Sequence, residues 1–173
     1  QEALIILQKQ NNSDLIAQVF KNPSLFMACG FGVGLIRPGP GTWGTLIALP
    51  IHYALISLLA LEALLFFWAL MFFLGIAVCR SAEKILGKSD HSSIVIDEFV
   101  AYGLLLALIP NNFYLHTAAF VLFRIFDIFK PFGIRHLDQK VKGGLGVMLD
   151  DLFAAGYAFC ILMILLAFVN FPV

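Results

Sequence analysis

Charge is scarce in this sequence. Only 13% of its 173 residues are Asp, Glu, Lys or Arg, while 61% are hydrophobic. Ordinary globular chains carry about 25% charge and about 45–50% apolar residues. Acids and Lys plus Arg balance at 11 each, so no basic face for nucleic acid is implied. Cysteine is equally sparse. Cys29, Cys79 and Cys160 are far apart and form no CxxC, which excludes a disulfide framework and a zinc site. They read as small apolar fillers. No P-loop occurs, and the GxGxxG spacing of "GPGTWG", 39–44, is by itself a weak signal, so no nucleotide site is expected.

Several phosphate chemistries are missing their signatures as well. There is no Asp-Gly pair, which removes the DGxxAR pattern of CDP-alcohol transferases. Cys29 and Arg37 are separated by seven residues, not the five of a cysteine phosphatase. No DxDx[TV] exists for an aspartyl-phosphate route. The single Arg-Pro pair, Arg37–Pro38, is preceded seven residues earlier by Gly30, where the acid-phosphatase membrane signature needs Lys. No covalent nucleophile suggests itself. No internal repeat or low-complexity tract is found.

What the chain has is apolar length, with a mean hydropathy of +0.92. Five segments stand out, roughly 45–61, 63–79, 94–110, 113–129 and 152–171. Each approaches the length needed to cross a hydrocarbon core of about 30 Å. Helices are expected, because a spanning backbone must satisfy its own hydrogen bonds. The expectation is an all-α polytopic membrane bundle of about five membrane-spanning or membrane-embedded helices. Residues 1–28 form an N-terminal cytoplasmic or interfacial segment with a break near "KNPS", and 29–173 form the membrane-embedded domain. Glu2, Lys9, Asp14 and Lys21 interrupt the N-terminal stretch, which is not expected to be a signal peptide. A topology with fewer true spans is the alternative.

The connections around Glu62 and at "PNN", 110–112, carry no Lys or Arg. All the basic residues fall before the first segment, between the second and third, or from Arg124 to Lys142. The positive-inside rule then puts the N-terminus and the 80–93 and 130–150 loops in the cytoplasm. Asp97–Glu98 head the third segment on that side. Asp127 and Lys130 lie at the end of the fourth, with Arg124 on the same face by its spacing of three. Asp150–Asp151 are expected to open the fifth.

Acids in a first turn complement the helix dipole by about 0.3–1 kcal/mol each, and each pair alone has that simpler explanation. Lys130 has one too, snorkelling to the interface. Asp127 fits the dipole account poorly, because it sits near a helix C-terminus. Five carboxylates at one depth repel unless a cation lies among them, and oxygen-only ligands favour Mg²⁺. Whether one ion or two are bound is left open.

Two glycine-rich stretches, "CGFGVGLIRPGPGTWGT" and "KVKGGLGVMLDD", flank these acids. They either pack in tight turns or present backbone N–H groups to an anion, with Arg37, Thr42 and Thr45 as added donors. Together the groups suggest a phosphate-bearing substrate at the membrane surface, attacked by metal-activated water. His91 is a candidate proton donor to the departing alkoxide, or simply a loop histidine beside Asp90. His52, His116, His136, Tyr102 and Trp43 read as packing or interface residues. A small transporter or ion-conducting protein, with Asp97, Glu98, Asp127 and Arg124 along a path, is the alternative from another class. A structural subunit, with the acids serving topology alone, is a third.

Four blocks, "GFGVGLIRPGPGTWGT", "DHSSIVIDEFVAY", "FRIFDIFKPFGIRHLD" and "GGLGVMLDDLFAAG", together resemble the phosphatidylglycerophosphatase A family. The likeness covers about 28–160. It implies a Mg²⁺-dependent lipid phosphatase of the bacterial inner membrane, multi-pass, with its active site facing the cytoplasm. The implied reaction removes the terminal phosphate of phosphatidylglycerophosphate to leave phosphatidylglycerol. Residue by residue, the resemblance carries metal and acidic roles onto Asp97, Glu98, Asp127, Asp150 and Asp151. It carries the basic pattern onto Arg124, Lys130 and Arg135, and the glycine-threonine turn onto Gly41, Thr42 and Gly44. The implied catalytic set is Asp97, Asp127, Lys130 and Asp151. Two small departures from the family pattern are Ala101 and Ser92. The partners expected are the lipid substrate and the bilayer, with no nucleic acid and no nucleotide; the oligomeric state is left open.

Overall fold

The computed structural model describes residues 13–89, 91–131, 133–134 and 140–168. All the regular secondary structure among these residues is helical, with no strand. Five long helices follow one another: α1 (Pro40–Ile56), α2 (Leu61–Leu86), α3 (Ile96–Leu108), α4 (Phe113–Phe129) and α5 (Gly144–Phe168). Before them come a helix over 13–21, a short helix Pro23–Ala28 and a 3-10 turn Val33–Leu35.

Local chemistry sets the punctuation. Pro23 and Pro40 each stand at a helix start, where the missing N–H costs nothing. The break expected near "KNPS" falls at Asn22. The Asn112 side chain accepts from Tyr114 N at 2.9 Å and Leu115 N at 3.4 Å, so the second Asn of "PNN" caps α4. Gly87 ends α2 in the left-handed region that favours glycine.

The helices fall on the five apolar segments with shifted ends. α1 starts five residues earlier than expected, inside the glycine-rich stretch. α5 begins at Gly144, so Asp150 and Asp151 lie in its second turn rather than opening it. The dipole account of that pair weakens accordingly, because the effect fades beyond the first turn. It survives for Asp97 and Glu98, both in the first turn of α3.

Two helices, α2 and α5, are long and apolar enough to cross a membrane. At 1.5 Å per residue, α1 and α4 rise about 26 Å and α3 about 20 Å, less than a hydrocarbon core of about 30 Å. The shortest of these five helices is the central one. Ten of the 13 residues of α3 are buried, the pattern of a helix covered on all sides. It packs against α1, α2 and α5, and less closely against α4. The hairpin neighbours α1 and α2 barely touch, since α3 lies between them. Trp68, Tyr102 and Phe123 fill this core.

Candidate active site

The bundle gathers four helix ends at one point: the starts of α1, α3 and α5 and the end of α4. From these ends come Gly41, the Asp97–Glu98 pair, the Asp150–Asp151 pair, and Arg124 with Asp127. Asp97, Glu98 and Asp151 offer oxygens that all lie within 4.8 Å of one another. Asp97 and Asp151 are buried, and Glu98 nearly so. One oxygen on each, Asp97 Oδ1, Glu98 Oε2 and Asp151 Oδ2, is buried without a hydrogen-bond partner.

Buried carboxylate oxygens are rarely left so. Two unit charges 4.8 Å apart repel by about 3.5 kcal/mol at an effective dielectric of about 20, hence roughly 10 kcal/mol for an ionised trio. An oxygen-only set with one unsatisfied atom on each member fits a hard divalent cation such as Mg²⁺.

The other two acids flank the trio, each held by a cation. Arg124 Nη1 lies 2.5 Å from Asp127 Oδ2 and 3.7 Å from Glu98 Oε1, tying the end of α4 to the start of α3. Asp127 is the electrostatic neighbour of both Glu98 and Asp151. Lys130, in the left-handed region at the end of α4, pairs with Asp150 Oδ2. Asp150 Oδ1 accepts from Asp151 N at 3.2 Å, which fixes the pair's relative orientation. Thus the five acids do converge: three form the oxygen cluster, and two carry Arg124 and Lys130 to its edge.

The glycine-rich stretch meets the site at one residue. A Cβ on Gly41 would collide with the Glu98 carboxylate and stand 3.2 Å from Arg124 Nη1. At Gly44 it would stand 2.6 Å from Val95 Cβ, so glycine there lets α1 close onto the chain leading into α3. Thr45, one turn beyond Gly41, is fully buried; its hydroxyl donates to Gly41 O at 2.8 Å and receives Arg124 Nη1 at 3.5 Å. The hydroxyl touching the cluster's arginine is therefore that of Thr45, while Thr42 lies half-buried nearby on α1.

Arg37 lines a different cavity, of about 380 Å³, with Asp14, Gln18, Lys88 and His91; no acid of the cluster lines it. Its guanidinium donates to Ser92 Oγ at 3.3 Å. His91 Nδ1 accepts from Ser93 N at 3.2 Å, which leaves the neutral ring's proton on Nε2. Arg135, His136 and Asp90 lie outside the described residues.

Two helices of membrane-crossing length, an oxygen-only cluster and flanking cations define the class: a membrane-associated enzyme of phosphate chemistry. Comparison with known proteins sharpens this. The family model of phosphatidylglycerophosphatase A matches residues 26–166. A Haemophilus influenzae protein named phosphatidylglycerophosphatase A is 49% identical over 138 residues, covering 79% of this chain and 85% of its own. An Escherichia coli protein of the same name is 41% identical over 134 residues, covering 77% of each. A Bacteroides thetaiotaomicron relative, provisionally named a phosphatidylinositol-3-phosphatase, is 40% identical over 154 residues, covering 83% of this chain and 96% of its own. No solved structure matches. The chain belongs to the phosphatidylglycerophosphatase A family.

Proposed function

We infer that this protein hydrolyses the terminal phosphomonoester of phosphatidylglycerophosphate, giving phosphatidylglycerol and phosphate. One observation carries the reading: in a chain of this family, three carboxylates, each with a buried oxygen that has no hydrogen-bond partner, bring oxygens within 4.8 Å of one another beside Arg124. Asp97, Glu98 and Asp151 would hold Mg²⁺, with Asp127 and Asp150 completing its surroundings. Such an ion supplies Lewis acidity toward phosphoryl oxygens and lowers the pKa of water.

The chain's own groups do the rest. Arg124 and Lys130 present positive charge to the phosphoryl group. Asp127, oriented by Arg124, takes the proton that water loses as its oxygen bonds to phosphorus. The bond from phosphorus to the glycerol oxygen breaks, and that oxygen leaves as the alcohol, taking up the proton that Asp127 received. Gly41 and Gly44 keep α1 close enough for this assembly to form. Arg37, with Thr42 and Arg135, is assigned to the substrate's approach.

We place the five-helix body in the bacterial inner membrane as a multi-pass bundle, with the acids facing the cytoplasm. The distribution of Lys and Arg supports that orientation. Phosphate release from phosphatidylglycerophosphate in detergent tests the function. Release is expected with Mg²⁺ and lost with EDTA. Phosphatidylinositol 3-phosphate offered alongside reports headgroup choice, with slower release expected. No release from phosphatidylglycerophosphate at any Mg²⁺ concentration discards the reading.

A further inference from the structure

A shallow groove of about 250 Å³ runs between α3 and α5, lined by Leu104, Leu105 and Leu108 on one side and Leu152, Ala155 and Phe159 on the other. Its position relative to the acids is the informative feature. On α5, Asp151 and Ala155 are one turn apart on the same face. On α3, Asp97, Ala101 and Leu105 follow one another at the same spacing. The groove is therefore the continuation, away from the acidic end, of the seam that holds Asp97 and Asp151 together. From Asp151 to Phe159 it descends about 12 Å.

Gly156 also lines the groove, and a Cβ built on it meets nothing within 4 Å. The space over that glycine is open. A packing helix with its side chains is about 10–12 Å across, far more than a slot of this volume admits. A single hydrocarbon chain is the occupant of the right width and polarity, and it is tied covalently to the phosphate that the acids would receive.

We propose that this groove seats one acyl chain of the phospholipid substrate, and so aims the phosphomonoester at the acidic cluster. The proposal rests on the lipid-phosphatase reading above and adds the place where the lipid's apolar part lies. Moving a chain from bilayer to groove gains little hydrophobic energy, since lipid tails are as apolar as leucine. The gain lies in orientation: a chain held in the seam restricts where its head can sit.

The test fills the groove. Gly156→Phe places a ring in the open space without meeting a neighbour at its Cβ. The readout is the ratio of kcat/KM for a long-chain phosphatidylglycerophosphate to that for the chainless headgroup. The ratio should fall about tenfold, the scale on which apolar pockets discriminate. An unchanged ratio overturns the proposal.

The second measurement uses the unaltered protein and a phosphatidylglycerol whose acyl chain carries a photoreactive diazirine. Label should appear on the 152–159 stretch of α5, and on less of it in Gly156→Phe. Label confined to other helices, or crosslinks joining two copies through this face, overturns the proposal and gives the groove to bulk lipid or to a second chain. If Gly156→Phe does not fold, labelling of the unaltered protein decides. If the unaltered protein hydrolyses neither substrate, the reading of function fails, while the photolabel still judges the groove.

Discussion

Replacing Gly41 by alanine tests the construction of the site with one methyl group. Its Cβ would stand 3.0 Å from Glu98 Cδ and 3.2 Å from Arg124 Nη1, and closer still to Glu98 Oε1. Gly41 lies in α1 without a positive φ, so alanine meets no backbone strain there. Helix propensity even favours alanine over glycine by up to about 1 kcal/mol. The obstructing atoms belong to the far end of a flexible side chain, which swings aside more cheaply than backbone.

The fold should therefore tolerate the change, with a Tm shift within about 4 °C, the scale of about 1 kcal/mol in a chain of this length. The site should not. Glu98 can yield only by leaving Arg124 or the oxygen trio, and a misplacement of about 1 Å costs about 100-fold in rate. That is roughly 2.7 kcal/mol of barrier.

The assay is phosphate release with Mg²⁺ for the unaltered protein, Gly41→Ala, Glu98→Ala and the double variant, each with its melting curve. Gly41→Ala should lose about 100-fold. Added to Glu98→Ala it should lose little more, because the carboxylate it displaces is already gone. Normal turnover in Gly41→Ala, or a second full loss on the Glu98→Ala background, refutes the reasoning.

The acidic cluster makes its own predictions. Asp97→Asn, Asp127→Asn and Asp151→Asn should each lower turnover by at least about 100-fold, and near-normal rates in all three would reassign the site. Asp97→Asn should also raise the Tm of the metal-free protein, since it removes repulsion of about 3.5 kcal/mol per ionised pair. Mg²⁺ should raise the Tm of the unaltered protein by binding its folded state, and that increase should shrink in the variant; an undiminished increase argues against Asp97 as a ligand. Lys130→Ala takes a cationic partner from buried Asp150 and should cost up to about 3 kcal/mol, the lower end for a broken buried pair, as well as weakening phosphate binding. Pairing it with Asp150→Asn should recover most of the stability. An unchanged melting curve and an unchanged substrate response would return Lys130 to a snorkelling role.

The helical character and the acids were legible in the sequence for the same reason: both are patterns along the chain. Apolar runs without strand-like alternation announce helices, and carboxylates stand out against so little charge. The ends of α1 and α5 were harder to read, because their first turns are glycine-rich. "PGTWG", 40–44, and "GLGV", 144–147, have the composition of loops, yet tertiary packing makes them helical. The pairing of Arg124 with Thr45 was illegible, since it joins residues 79 apart across two helices. The same holds for Gly41 against Glu98: the sequence shows a glycine, and only the fold shows which carboxylate needs the room. Spacing alone supported five similar spans. The central position of α3 explains why one of them is only 13 residues long.

That central position also bears on transport, the other function that buried membrane carboxylates serve. A conducting path needs polar groups through the full depth of the bundle. At the end opposite the acids there is a second polar group, in which Tyr53 Oη meets His116 Nδ1 at 2.9 Å and the His52 and His116 rings lie 5.6 Å apart. His52 is seven residues beyond Thr45 on α1, and His116 is eight before Arg124 on α4, so about 10–12 Å of helix separates the two groups. Across that interval α3 presents Phe99, Val100, Leu105 and Leu106, all buried, and the Tyr102 hydroxyl is spent on His116 O at 2.8 Å. An ion would have to shed its water and cross this apolar layer with no carboxylate to receive it, at a cost of several kcal/mol at least. The clustered acids thus sit at one end of the bundle, which suits an enzyme whose substrate arrives and leaves from the same side.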